Sequence, residues 1–129
     1  PLICRNTEKP GIKPERIRNL IISAMKQSLK AMEPKLNEAI SFMDFLSKAQ
    51  QGILMMAHCY SESKRYKISD VYSRGEDAVI MIGPEGDFST EEIEGGISNN
   101  FTHIHIGPSR LRTETAGIAA CHSIYFINQ

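Results

Sequence analysis

Two short apolar runs constrain this chain more than any other feature. Ala78–Ile82 and residues 104–106 each run straight into Gly-Pro, and each turn leads toward a segment with helical signals. A continuous apolar run of strand length suits a strand buried on both faces, so both read as strands of a parallel sheet. A strand that stops at a glycine and feeds a helix brings backbone N–H groups and a positive helix end to the carboxyl edge of the sheet. Open α/β sheets bind ligands there. Two such turns between residues 78 and 117 point to one site built from both.

The rest of the chain alternates in the same way. Residues 2–5 read as a strand, followed by a polar loop to Lys13. Pro14 suits the first position of a helix and Glu15 its positive end. Ile17, Leu20, Ile21, Ala24 and Ser28 share one helical face, with Arg16, Arg18, Lys26 and Lys30 mostly off it. Pro34 ends that helix near Met32. A shorter helix is expected over residues 41–50, closed by Gly52. Residues 53–58 form an apolar run and read as a central strand, 60–66 as loop, 67–72 as a short helix or turn, and 74–77 as a turn. Ser89 and Glu92 make a capping box, with Phe88 and Ile93 placed as a hydrophobic staple. Gly95-Gly96 weakens this helix and Asn99-Asn100 ends it. A strand over 103–106 and a helix over 113–127 follow. Ala116, Gly117, Ala119, Ala120 and Ser123 make that last helix small-sided, able to lie close to other backbone. The pattern is α/β: a mainly parallel sheet with helices on both faces.

At 129 residues the chain is one domain with room for a core. No apolar run approaches the roughly 20 residues that cross a bilayer, and no signal peptide is expected. Cys4, Cys59 and Cys121 are far apart and form no CxxC pair. A disulfide framework or zinc site is therefore disfavoured and a reducing cytoplasm expected. The chain opens on Pro1 with a strand-like segment behind it, which leads to the expectation of a missing upstream part. The net charge of zero hides an asymmetry: residues 5–35 hold eight Lys/Arg against three Glu, and residues 76–96 hold seven Asp/Glu and no Lys/Arg. The basic segment is either a solvated helix face or a surface for nucleic-acid phosphates.

Gly83-Pro84-Glu85-Gly86 is either a tight strand-to-helix turn or a place where a ligand approaches backbone closely. No Gly-Lys-Ser/Thr follows and the spacing is not GxGxxG, so a phosphate cradle is not favoured. Leu111-Arg112-Thr113-Glu114-Thr115 opens a helix. Glu114 has an ordinary role there, a favourable interaction with the helix dipole, and Arg112 could pair with an acid. An arginine, a glutamate and two hydroxyls at a glycine turn also suit a binding or catalytic site. His103 and His105 share one strand face, but no third metal ligand is evident, so no metal is expected. His58 and His122 read as structural, and Met55, Met56 and Met81 as core.

At these two loops the sequence resembles a known family. Residues 82–86 with Phe88, Ser89, Glu92 and Ile93, together with Gly107 and residues 111–116, resemble the bacterial 16S ribosomal RNA uridine-N3 methyltransferases. These are the small-subunit methyltransferase E proteins of the SPOUT superfamily. Upstream, Pro14-Glu15-Arg16, Ala24-Met25-Lys26-Gln27-Ser28 and Pro34 are similar to the family's Glu-Arg, Ala-x-Glu-Gln and Pro. The resemblance covers nearly the whole chain.

The resemblance implies a C-terminal trefoil knot, S-adenosylmethionine bound in a bent form at the knot loops, and a homodimer in which the last helix packs in the knot and against the partner. It also implies an N-terminal PUA-like RNA-binding barrel, for which this chain has no room, and a first strand and helix that are absent here. By position, Ile82, Gly83, Glu85 and Gly86 would form one wall of the cofactor site. Ile106, Gly107, Leu111, Arg112, Thr113, Thr115 and Ala116 would form the other, with Glu114 beside them. Arg112 and Glu114 are the implied catalytic pair, and 16S rRNA in the decoding region of the small subunit the implied substrate. The alternatives are an RNA-binding or assembly protein of this fold without turnover, and methylation of a different RNA site. Asp87 stands where the family usually has a second glycine. Ser109 stands where it commonly has arginine, with Arg110 next. Lys26 replaces a common glutamate, Lys30 a common arginine, and Asn6-Thr7 lacks the usual Arg-Ser.

Overall fold

The computed structural model describes residues 1–8, 11–60 and 64–129. In chain order the elements are β1 (Leu2–Ile3), α1 (Pro14–Ser28), β2 (Ile40–Ser41), α2 (Phe42–Leu46), β3 (Ile53–Ala57), β4 (Tyr66–Lys67), α3 (Ile68–Val71), β5 (Ala78–Ile82), α4 (Thr90–Ser98), β6 (Thr102–His105) and α5 (Thr113–Ile127). Among the described residues every strand pairing is parallel. The main sheet has the order β4-β6-β3-β5, and β1 pairs with β2 in a separate two-stranded sheet.

The register brings functional segments together. Ala57 pairs with Ile82 on one side and with Ile104 on the other. The carboxyl ends of β3, β5 and β6 are therefore neighbours. Strand alternation splits β3 between two cores. Met56 joins Phe42, Leu46, Met81, Phe88, Ile93 and Phe101 under α2 and α4. Met55 and Ala57 join Ile68, Tyr72, Ile104 and Ala120 under α3 and α5. Met55 and Met56 are fully buried. Each contributes about 1.5–3 kcal/mol of hydrophobic stabilisation. That outweighs the exposed Arg5–Glu91 ion pair, 3.1 Å long, for which about 0–1 kcal/mol is typical.

The capping box of α4 forms as expected: Ser89 Oγ accepts from Glu92 N–H, and Glu92 Oε2 accepts from Ser89 N–H at 2.8 Å. Phe88 and Ile93 are both buried in one cluster, as a staple requires. The buried Glu92 also accepts from Arg5 N–H at 2.8 Å, tying the chain after β1 to α4. A Cβ at Gly96 would lie 2.7 Å from Met56 Sδ. Gly96, which weakens this helix in isolation, thus lets it lie directly on the sheet.

Several boundaries differ from expectation. The first strand covers only Leu2–Ile3, and β2 and β4 fall in stretches read as irregular or helical. Two-residue strands carry almost no periodic signal and exist through their partners. α1 stops at Ser28, not near Met32, because Leu29 adopts a left-handed conformation (φ 55°) and Ser28 Oγ donates to Ala24 O. α2 ends at Leu46 rather than running to residue 50, and Gln50 Nε2 donates to Phe45 O. β3 ends at Ala57 rather than His58, and β6 covers Thr102–His105 rather than 103–106. α1 has no buried residue, and Leu20 on its expected inner face is 61% exposed.

Candidate ligand site

The three strand ends open into one cavity of about 560 Å³. Two Gly-Pro turns bound it, as the sequence suggested. Ile82, Gly83 and Glu85 line it from the turn after β5. Ile106, Gly107, Leu111, Arg112, Thr113, Glu114 and Ala116 line it from the loop after β6 and the start of α5. Thr113 Oγ1 donates to Gly83 O at 3.0 Å, so the two walls are directly joined. Gly107 has φ 114°, which a side chain with a Cβ adopts only under strain.

Two expected residues do not line the cavity. Gly86 packs against Asn6 instead: a Cβ there would lie 2.8 Å from Asn6 Cβ, and Asn6 Nδ2 donates to the carbonyls of Gly86 and Asp87. Thr115 is exposed in the first turn of α5, outside the lining.

A third segment, not anticipated, supplies the floor. Ala57, His58, Cys59 and Arg65 line the cavity from the end of β3 and the loop beyond it. Asp87, Pro84, His105, Ser109 and Arg110 complete it. The pairing of β3 with β5 and β6 brings these residues to the same edge, and no local pattern in the sequence marks it.

His58 is buried, with its ring edge-on to His103 and ring centroids 4.6 Å apart. Its Nδ1 accepts from Tyr60 N–H, and its carbonyl accepts from Arg65 Nη1 at 2.7 Å. Burial, and secondarily His103, push the His58 pKa down to about 4. Burial also lowers that of His103. Both rings are therefore neutral at pH 7, and neither Nε2 has a hydrogen-bond partner among the described residues. Burial similarly pushes the Cys4 thiol up to about 12, with Glu92 adding to it, so Cys4 is core and not a nucleophile.

Charges of both signs surround the cavity: Arg65, Arg110 and Arg112 against Glu85, Asp87 and Glu114. Such a lining suits a ligand with cationic and anionic groups and an apolar body better than a polyphosphate. Among the described residues no three His, Cys, Asp or Glu are grouped to hold a metal ion. No described helix is long and apolar enough to cross a membrane.

A parallel sheet with a mixed-charge cavity where three strands end defines an α/β ligand-binding domain. Residues 2–125 match the model of a family described as an RNA methyltransferase domain, and the chain belongs to that family. It is 34% identical over 123 residues to the ribosomal RNA small subunit methyltransferase E of Rickettsia conorii, covering 93% of this chain and 50% of that protein. A probable rRNA-methyltransferase from Porphyromonas gingivalis superposes with a TM-score of 0.91 at 38% identity, covering 98% of this chain and 54% of its own. The small subunit methyltransferase E of Neisseria gonorrhoeae, solved bound to S-adenosylmethionine, superposes with a TM-score of 0.79 at 25% identity, covering 98% and 53%. The chain thus spans about half the length of the relatives it matches.

Proposed function

We propose that the chain is the catalytic domain of an S-adenosylmethionine-dependent methyltransferase acting on uridine N3 of 16S rRNA, in the decoding region of the small subunit. The observation that carries this reading is the convergence of both motif loops on one cavity, in a chain of the RNA methyltransferase family. The cavity volume lies within the usual range for cofactor sites. Its mixed charges suit a molecule with an amino-acid zwitterion, and its apolar lining suits a nucleoside. Ile82, Gly83, Glu85, Ile106, Gly107, Leu111, Thr113 and Ala116 would hold the cofactor. When bound, it supplies an electrophilic methyl group on a sulfonium sulfur.

The chain's own residues then have the task of making N3 nucleophilic. Uridine N3–H is a weak acid, and the proton must leave before attack. Arg112, exposed at the N-cap of α5, would stabilise the resulting anion on O2 or O4. Glu114, exposed in the first turn of the same helix, would take the proton or hold Arg112 in place. Alignment of nucleophile and methyl group would supply much of the remaining acceleration.

The same reading includes a trefoil knot and a homodimer in the cytoplasm. The Thr113–Gly83 bond joins the two loops from which that knot would be built. Ile118, Tyr125 and Phe126, exposed on α5, support a partner-facing helix. A PUA-like barrel elsewhere in the full protein would supply much of the RNA affinity.

Titration calorimetry of S-adenosylmethionine into this chain tests the cofactor role. The expected result is about one cofactor per chain, lost in Gly107→Val, where the left-handed φ disfavours a side chain. Nucleoside analysis of small subunits treated with the full-length protein tests the product. Cofactor binding without any methylated uridine would favour an RNA-binding or assembly protein of the same fold. The isolated 129-residue chain is expected to methylate rRNA poorly; robust turnover by it would refute the need for a separate RNA-binding domain.

A further inference from the structure

We propose that Asp87 is a positioning residue whose carboxylate fastens the floor of the cavity to its first wall. This rests on reading the cavity as the cofactor site. Asp87 Oδ2 accepts from Cys59 N–H at 2.7 Å, and Oδ1 accepts from Phe88 N–H at 2.9 Å. One carboxylate therefore bridges the segment after β3 and the turn after β5, which lie far apart in the chain. Charge-assisted bonds to backbone N–H groups are the stronger class of hydrogen bond.

The surrounding geometry is built around this bridge. Asp87 takes φ 60°, a left-handed conformation that aspartate tolerates better than most residues. Its backbone N–H donates to Pro84 O at 2.9 Å, so the turn closes without help from the carboxylate. A Cβ at Gly83 would lie 2.8 Å from Asp87 Oδ1, so the glycine leaves the space that the carboxylate fills. A residue needed only to make the turn would not require that space, nor reach Cys59. The carboxylate also fixes the Cys59 end of the segment whose other side carries His58. The floor is thus held at Asp87 on one side and by the Arg65–His58 carbonyl bond on the other.

The test uses the wild-type chain, Asp87→Gly and Asp87→Asn, with S-adenosylmethionine titrations and NMR amide exchange at Cys59. Glycine suits the left-handed φ, so the variant keeps the turn and loses the bridge: it should stay folded with a modestly lower thermal unfolding midpoint. Its cofactor Kd should rise about tenfold, the scale of one charge-assisted hydrogen bond. Asparagine keeps one acceptor and should fall between. The Cys59 amide should exchange faster in both variants. Equal Kd values in all three chains, with the wild type binding, would overturn the positioning role. An unchanged Cys59 amide would overturn the bridge itself. A wild-type chain that takes up no cofactor would defeat the cofactor reading, and the Cys59 exchange would still decide whether the bridge exists.

Discussion

The two walls of the cavity are built in opposite ways. The first, residues 83–88, is held from several directions. Asn6 bonds its carbonyls, Asp87 binds Cys59 and Phe88, and there is no room for a side chain at Gly83 or Gly86. The second, residues 107–112, is mostly exposed, and a Cβ at Gly107 would meet nothing within 4 Å. Among the described residues, no side chain from 108 to 112 makes a hydrogen bond or ion pair. One wall is a template set by packing. The other presents arginines with no hydrogen-bond or ion-pair partner among the described residues. On the proposed function, pre-organisation and recognition would thereby be divided between the two loops.

Substitutions can break this contrast. The largest effect belongs to the open wall: Arg112→Ala should lower methyl transfer by the full-length protein at least about a hundredfold, the scale for one transition-state donor. Its unfolding free energy should change by less than about 0.5 kcal/mol. A stability loss instead of an activity loss would place Arg112 with the rigid wall. Acid should next act on the floor. The pKa of His58 falls from 6.5 to about 4 on folding. The folded chain therefore binds fewer protons, and stability present above pH 6.5 is lost as pH falls through about 4. The shift sets an upper bound of about 3 kcal/mol. His58→Gln should flatten the stability–pH slope in that window, and an unchanged slope would rule out His58 as its source.

The packed wall should respond to volume. Gly83→Val should cost about 2 kcal/mol in chemical denaturation, the usual penalty for overpacking. Unchanged stability would show that the first wall can shift after all. The smallest effect should come from the joint between the walls. Thr113→Val removes the bond to Gly83 O and should cost about 1 kcal/mol. A cofactor Kd that rises more than this stability loss accounts for would mean the joint also aligns the walls for binding.

What could be read from the sequence follows the same physical division. β5, α4 and α5 carry strong local signals: an unbroken apolar run, a capping box with its staple, and a small-sided helix opening at Thr113. That the turns after β5 and β6 share one site was legible because both glycine turns had to reach one sheet edge. The cavity floor was not. His58, Cys59 and Arg65 join the site only through the pairing of β3 with β5 and β6, a long-range fact with no local mark. Gly86 looked like ligand-facing backbone, whereas its missing side chain makes room for Asn6. α1 shows the converse limit. Its Pro14 start and periodicity predict a helix correctly, but periodicity also assigned Leu20 an inner face, and Leu20 is 61% exposed.

The strand order also bears on when the protein becomes competent during its own synthesis. β3 lies between β5 and β6, so its carboxyl end waits, with one neighbour missing, until the later strand is made. Such distant parallel pairings form slowly, because the intervening chain must be ordered first. A nascent chain that has passed Phe88 owns the floor and first wall but no second wall. The ability to take up cofactor should therefore emerge in one late step, when β6 docks and α5 follows. It would report that the domain is complete.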